Sequence, residues 1–363
     1  MIRSTKPSYA IAATAAAALT VVIAGCGLFP GEPSPTPSRT GGPTGGTNIS
    51  TETATPAPAQ RFVNSVTLVA QIGVPKDWTP AGLAWKGIQA AATHAGATSA
   101  LVEPVSNAEL PKDIDKAAAD GTVVVTVGPD AAAAVQAAAK AHSATQFLEL
   151  SVAVPDTSPS NVHGIVFDEA EAGYLGGYIA AAFTTSSKIA MVGDTKTDVR
   201  STNFASGFKA GASQANPGVG VAFAYAGTPD SPDKGRTAAA GLVKAGSTVV
   251  MATPSLSGIG ALREACGRKA HLVAVETDAW QAISDIRPCL IVSVMDRYDV
   301  AVTAAIATLA SGGALARITT SDIAGGGIAL SDFHADLPAG FQDKLDAVVG
   351  ALTNRAGPPT AAP

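Results

Sequence analysis

From Phe62 onward, apolar positions gather into short runs of Val, Ile and Leu, separated by longer alanine-rich stretches with polar residues at helical spacing. The runs VTLVAQI (Val66–Ile72), SALVEP (Ser99–Pro104), GTVVVTVG (Gly121–Gly128), QFLELS (Gln146–Ser151) and HGIVFD (His163–Asp168) predict strands. Between them, AGLAWKGIQAAATHAG, NAELPKDIDKAAAD and DAAAAVQAAAKAH have the length of helices. A second set follows the helical stretch EAEAGYLGGYIAAAF: KIAMVG (Lys188–Gly193), VGVAFAYAG (Val219–Gly227), STVVMATP (Ser247–Pro254), HLVAVETD (His271–Asp278) and CLIVSVMD (Cys289–Asp296). Strands that are apolar at nearly every position are buried on both faces, which implies parallel sheets covered by helices. The pattern therefore predicts an α/β chain with two doubly wound parallel-sheet lobes. Ligands of open α/β sheets sit outside the carboxyl ends of the strands, so the cleft between the lobes is the expected site.

The pattern before Phe62 is different. Arg3 and Lys6 precede an uncharged apolar stretch, Tyr9 to Gly25, and the small residues Ala24 and Gly25 lead into Cys26. Charge, apolar core and small-residue cleavage site in that order predict a secretory signal peptide over residues 1–25. The Ile-Ala-Gly-Cys ending resembles the lipobox of bacterial lipoproteins, which implies a lipid anchor (palmitate among its acyl chains) on Cys26. A plain membrane anchor with an incidental cysteine is the alternative. Residues 26–60 are dominated by Pro, Gly, Ser and Thr, too poor in apolar side chains to offset their ordering entropy, and are expected to be a disordered tether.

Composition narrows the function. The 363 residues are 47% hydrophobic and carry a formal charge of −5, with no Lys/Arg cluster, which argues against a nucleic-acid partner. The five histidines, His94, His142, His163, His271 and His334, are isolated. No His-Glu-x-x-His, no paired metal spacing and no Gly-x-Ser-x-Gly elbow occurs, so neither a metal, a cofactor nor a catalytic residue is expected. Cys266 closes a predicted helix and Cys289 opens a predicted strand. Helices return to the edge where parallel strands begin, so the two fall on one side of the second lobe. A disulfide between them requires Cα atoms within about 7 Å, and two free thiols are the alternative.

Several segments carry a family resemblance. FDEAEAGYLGGYIAAAF, followed by KIAMVGD, FASGFKAGASQANP, KGRTAAAGLVKAGSTVVMATPSLSGIGALREA, AVETD and GGGIALSDFHADLPAGFQDKLDAVVGAL, resembles the basic membrane protein (BMP) family of substrate-binding lipoproteins. The resemblance implies a type I periplasmic-binding-protein fold, a place as receptor of an ABC importer, and a purine nucleoside ligand. It also implies lobes joined by a three-segment hinge, with crossovers near Phe167–Glu171, Val294–Arg297 and Gly325–Ile328. The first lobe is then 61–168 with 297–325, the second 169–296 with 326–353, and 354–363 a disordered tail.

The family's binding positions carry over residue by residue. The first-lobe loop keeps Asp77 but has Pro80 and Ala81 where Phe-Asn is usual, leaving Trp78 as the aromatic face. Asp77 is also a candidate cap for the helix starting near Pro80. Phe204 matches the aromatic before Gly-Phe. Glu276 and Asp278 match an Asp-x-Asp pair that holds ribose hydroxyls. Asp296 stands where the family has lysine, an anion for a cation, with Arg297 adjacent. Trp280 either stacks on a ligand or shields the hinge. Ser257 and Gly258, in a glycine-bearing turn into a helix, offer N–H groups to an anion or hydroxyl. The expected protein is a monomeric, extracytoplasmic receptor held at a bacterial membrane, partnered by a small solute and an ABC permease. A sensor for another polar solute on the same fold, and less readily a tethered hydrolase, remain as alternatives.

Overall fold

The computed structural model describes residues 62–70, 76–106 and 108–354. The expected signal peptide, Cys26, the tether, residues 355–363 of the tail and Ile72 of the first predicted strand lie outside them. The first half of the chain runs β1 (Ser65–Val69), α1 (Pro80–Ala95), β2 (Thr98–Val102), α2 (Leu110–Asp120), β3 (Val123–Val127), α3 (Ala132–Ala141), β4 (Gln146–Leu150) and β5 (Val162–Phe167). It continues with α4 (Glu169–Phe183), β6 (Lys188–Gly193), α5 (Val199–Ala215), β7 (Gly220–Tyr225), α6 (Pro232–Lys244), β8 (Val249–Ala252) and α7 (Leu256–Gly267). The last part is β9 (His271–Glu276), α8 (Ala279–Ala282), β10 (Leu290–Asp296), α9 (Tyr298–Ala310), β11 (Ile318–Ser321), β12 (Ile328–Leu330) and α10 (Phe341–Thr353).

Two six-stranded sheets result, ordered β11-β5-β4-β3-β1-β2 and β12-β10-β9-β8-β6-β7. Every pairing is parallel except β10 with β12. The central strands are buried on both faces, as their unbroken apolar runs require. The edge strands β11 and β12 carry no such run and were not legible as strands: ITTS is almost wholly exposed, and β12 spans three residues.

Short polar residues start the helices. Thr79 caps α1, accepting a hydrogen bond from Gly82 N at 3.1 Å, with Pro80 at the first helical position. Asp77 is therefore not the cap. Asp168, Asp198, Ser231 and Ser255 do the same for α4, α5, α6 and α7.

Helices α4 and α5 pack backbone to backbone. A Cβ at Gly173 or Gly177 would collide with the carbonyl oxygens of Phe204 and Phe208, and one at Gly207 or Gly211 with those of Ala170 and Tyr174. The glycine pairs of GYLGG and GFKAG thus let two helices approach at a distance no other residue permits. Phe204 and Phe208 fill the adjoining core with Leu175, Ile179 and Met191.

The chain passes between the sheets three times, after β5, β10 and β11. The crossing segments are laced together: Asp168 N donates to Ser321 O at 3.0 Å, Arg297 N to Gly327 O at 2.8 Å, and Ile323 N to the buried Glu171 carboxylate at 2.8 Å. At the opposite edge of the second sheet, Cys266 and Cys289 are joined by a disulfide with Cα atoms 5.5 Å apart, tying the end of α7 to the start of β10.

Candidate functional site

At the carboxyl ends of β9 and β10 a polar cluster gathers from both sheets. Glu276 ends β9 with φ 75°, a left-handed conformation uncommon for a residue with a side chain. Arg200, in the first turn of α5, reaches it through Nη2 at 3.3 Å and reaches Glu169, the first residue of α4, through Nε at 3.0 Å. Tyr298 opens α9 and donates its hydroxyl to the same Glu276 Oε1 at 3.2 Å. The Tyr298 oxygen lies 2.7 Å from Ser151 Oγ. Tyr298 has one proton to give, and it goes to the carboxylate, so the Ser151 hydroxyl donates to the tyrosine. None of the described residues donates to Glu276 Oε2.

Asp296 ends β10 one residue beyond the Met295–Glu276 pairing and is 2% exposed, with no hydrogen-bond partner for Oδ2 among the described residues. Burial, then the Glu276 charge, holds its carboxyl well above the usual carboxylate range. Burial also raises Glu276, against the pull of Arg200. Burial works against the Arg200 charge as well, but Glu276 and Glu169 outweigh it and push its pKa up. Burial and the neighbouring Glu276 and Asp296 raise the Tyr298 hydroxyl. The cluster thus sets the three carboxylates Glu169, Glu276 and Asp296 against one guanidinium. Arg297, adjacent in sequence to Asp296, turns instead to Asp299 with two contacts of 2.9 and 2.7 Å.

The residues singled out in the sequence fare differently. Glu276 and Asp296 come together. Asp278 caps α8, accepting from Trp280 N at 3.0 Å. Trp280 lies flat on His334, with ring centroids 3.9 Å apart, and the Arg287 guanidinium sits 5.5 Å from its centroid. Phe204 is 1% exposed in the α4–α5 core, so in this form its ring presents no face to a ligand. Ser257 is fully buried and binds Thr228 O at 2.6 Å and Ser231 O at 3.0 Å; Gly258 N is taken by the Ser255 cap. Ser257 thereby stitches the α6 and α7 entries together. Asp77 is exposed and 3.7 Å from Lys86, and Trp78 is half-buried beneath the Lys76 ammonium.

Ser151, Glu169, Arg200 and Tyr298 were not singled out. Each lies just after a strand's carboxyl end or in the first turn of the helix that follows it, which is the signal that could have found them. A further acid of this kind is Asp194, whose Oδ1 accepts from Thr253 at 3.0 Å and Ser255 at 2.5 Å at the ends of β6 and β8.

The Bmp family, described as ABC transporter substrate-binding protein PnrA-like, matches residues 73–351. The chain belongs to that family. Its members bind substrates and do not transform them. Basic membrane protein D of Borreliella burgdorferi is 32% identical over 122 residues, 33% of this chain and 36% of that protein. The ABC transporter nucleoside-binding protein BmpA of Lactococcus lactis is 33% identical over 132 residues, 36% of this chain and 37% of that protein. The alignments thus span little more than a third of these curated relatives. In architecture, an ABC transporter solute-binding protein from Conexibacter woesei superimposes with a TM-score of 0.63 at 22% identity, covering 80% of this chain and 96% of that one. Among the described residues, no cluster of His, Cys, Asp or Glu is arranged to hold a metal ion, and no helix is long and apolar enough to cross a membrane.

Proposed function

We propose that this family member is the extracytoplasmic receptor of an ABC importer, lipid-anchored through Cys26, and that its cleft takes a nucleoside or a similar polar solute. The observation that carries the reading is Glu276. One of its oxygens is fixed by Arg200 and Tyr298, and the other has no donor among the described residues and lies at the carboxyl end of a central strand. A carboxylate so held is a ready acceptor for sugar hydroxyls, and it stands where the family pattern has the first acid of its Asp-x-Asp pair. The name of the Lactococcus relative, a nucleoside-binding protein, supports the nucleoside class. With Phe204 buried, Trp78 on the first-lobe loop is the aromatic face we assign to the base.

Closure of the lobes about the three laced crossovers traps the solute, and a permease reads the closed form. The protein performs no chemistry on its cargo. Calorimetric titration with adenosine, guanosine, inosine and their free bases tests this, on protein unfolded and refolded to remove carried-over ligand. Micromolar or tighter binding of a nucleoside is the expected result. No heat from any of them, with folded protein, retires the nucleoside.

A further inference from the structure

The polar contacts between the lobes are few. Leaving aside the crossover segments, the only side-chain hydrogen bond from the first lobe to the second among the described residues is Tyr298 Oη to Glu276 Oε1. No ion pair among the described residues joins them. Tyr298 belongs to the first lobe: it is 1% exposed, sits in the core beneath α1 and α9, and packs against Phe167 with ring centroids 4.7 Å apart. Glu276 belongs to the second lobe.

The two residues that flank the Tyr298 hydroxyl share a second feature. Ser151 has φ 60° and Glu276 has φ 75°, two of only four non-glycine residues with positive φ among the described ones. A left-handed backbone at a residue with a side chain persists where surrounding contacts hold it, and such positions concentrate at ligand clamps. Here each turns the end of a central strand so that its side chain meets the same tyrosine oxygen.

We propose that Tyr298 is the positioning residue of the interlobe site. Its hydroxyl, oriented by Ser151, holds Glu276 with Oε2 unclaimed by any described donor and fixes the resting angle between the lobes. It follows that a solute captured at Glu276 is felt in the first lobe through Tyr298 and Ser151. The second half of this statement rests on the assignment of Glu276 to the ligand; the first half does not.

Hydrogen–deuterium exchange of the full chain in detergent separates the two. Tyr298→Phe keeps the ring packed on Phe167 and deletes only the hydroxyl. Without ligand, it is expected to raise exchange about tenfold in peptides containing Ser151 and Glu276, with α6 and α7 unchanged, as for a local opening. Ser151→Ala is expected to give a smaller rise in the same peptides. Exchange identical to wild type in both variants overturns the proposal. So does a rise that includes α6 and α7, because that marks loss of structure without a specific role. With adenosine, guanosine or inosine present, protection at the Glu276 peptide extends to the Ser151 peptide in wild type and stops at Glu276 in Tyr298→Phe. Equal spread in the two proteins overturns the coupling. If no nucleoside protects the wild type, the nucleoside reading falls, while the comparison without ligand still decides the role of Tyr298.

Discussion

Thr126 and Glu149 face each other across β3 and β4, both buried, and among the described residues neither the Thr126 hydroxyl nor either Glu149 oxygen has a hydrogen-bond partner. A carboxylate that has lost its water without gaining a donor is disfavoured as an anion, and burial raises Glu149 to about 7. The folded state therefore binds this proton more tightly than the unfolded chain does. Stability from this group is fully present below the unfolded value and is lost as pH climbs to about 7. The loss amounts to roughly 3 kcal/mol at about 1.4 kcal/mol per unit. Thermal denaturation across that window is expected to show the decline in wild type and a flatter profile in Glu149→Gln. Parallel profiles count against a buried, unpaired Glu149.

Arg200 is the only cation that reaches Glu169 and Glu276 within 4 Å among the described residues. Arg200→Met leaves those carboxylates facing each other. It is expected to cost about 1–2 kcal/mol at pH 7, discounted for the half-exposed guanidinium. The deficit shrinks near pH 4, where Glu276, its carboxyl raised by burial, takes up a proton. Urea unfolding at the two pH values measures it, and an equal deficit at both rules out an electrostatic origin.

Glu276→Ala removes the acceptor assigned to the solute together with the partner of Tyr298. Binding of whichever nucleoside the titration identifies is expected to weaken more than tenfold, which is more than about 1.4 kcal/mol. The protein stays folded by circular dichroism. An unchanged dissociation constant takes Glu276 out of the site.

The α4–α5 contact tolerates no side chain. Gly211→Ala drives a methyl group into the Tyr174 carbonyl, so the helices must separate. A loss of about 1–3 kcal/mol is expected, typical of overpacking, against no loss or a gain of a few tenths for Gly350→Ala, where a Cβ meets nothing and alanine favours the helix. Denaturation midpoints of the pair provide the check, and equal midpoints would show that the close approach is not required.

The Cys266–Cys289 bridge closes a loop with a sequence separation of 23. Loop-closure entropy for that length gives about 3 kcal/mol, on the view that a disulfide acts through the unfolded chain. Calorimetry with and without reductant, with the double serine variant as reference, reads the loss. Identical transitions would mean that the bridge contributes nothing.

The architecture was legible because burial on both faces leaves a direct trace: a central parallel strand must be apolar at nearly every position, as in GTVVVTVG and STVVMATP. Helix entries were legible only in residue type. Thr79, Asp168, Asp198, Ser231 and Ser255 are capping types before helical runs, but the candidate cap read from the sequence for α1 was Asp77, and the geometry gives that place to Thr79. The strands β11 and β12 left no trace, because ITTS is polar and almost wholly exposed and β12 is only three residues long.

By itself, then, the sequence determined two doubly wound sheets and the strand ends where a site belongs, because those follow from the periodicity of burial along a local stretch of chain. It also carried the glycines of GYLGG and GFKAG, but not their meaning. Only the tertiary structure decided that they are a helix contact, that Phe204 beside them is core, and that Ser257 is a stitch between two helix entries. Only it brought Ser151, Tyr298, Glu276, Arg200 and Glu169 into one hydrogen-bonded line. Those five residues span five separate elements and turns, and the line as a whole depends on the position of two sheets and on two left-handed backbone turns. Relations of that kind have no period and no fixed spacing, so no stretch of the chain read alone contains them.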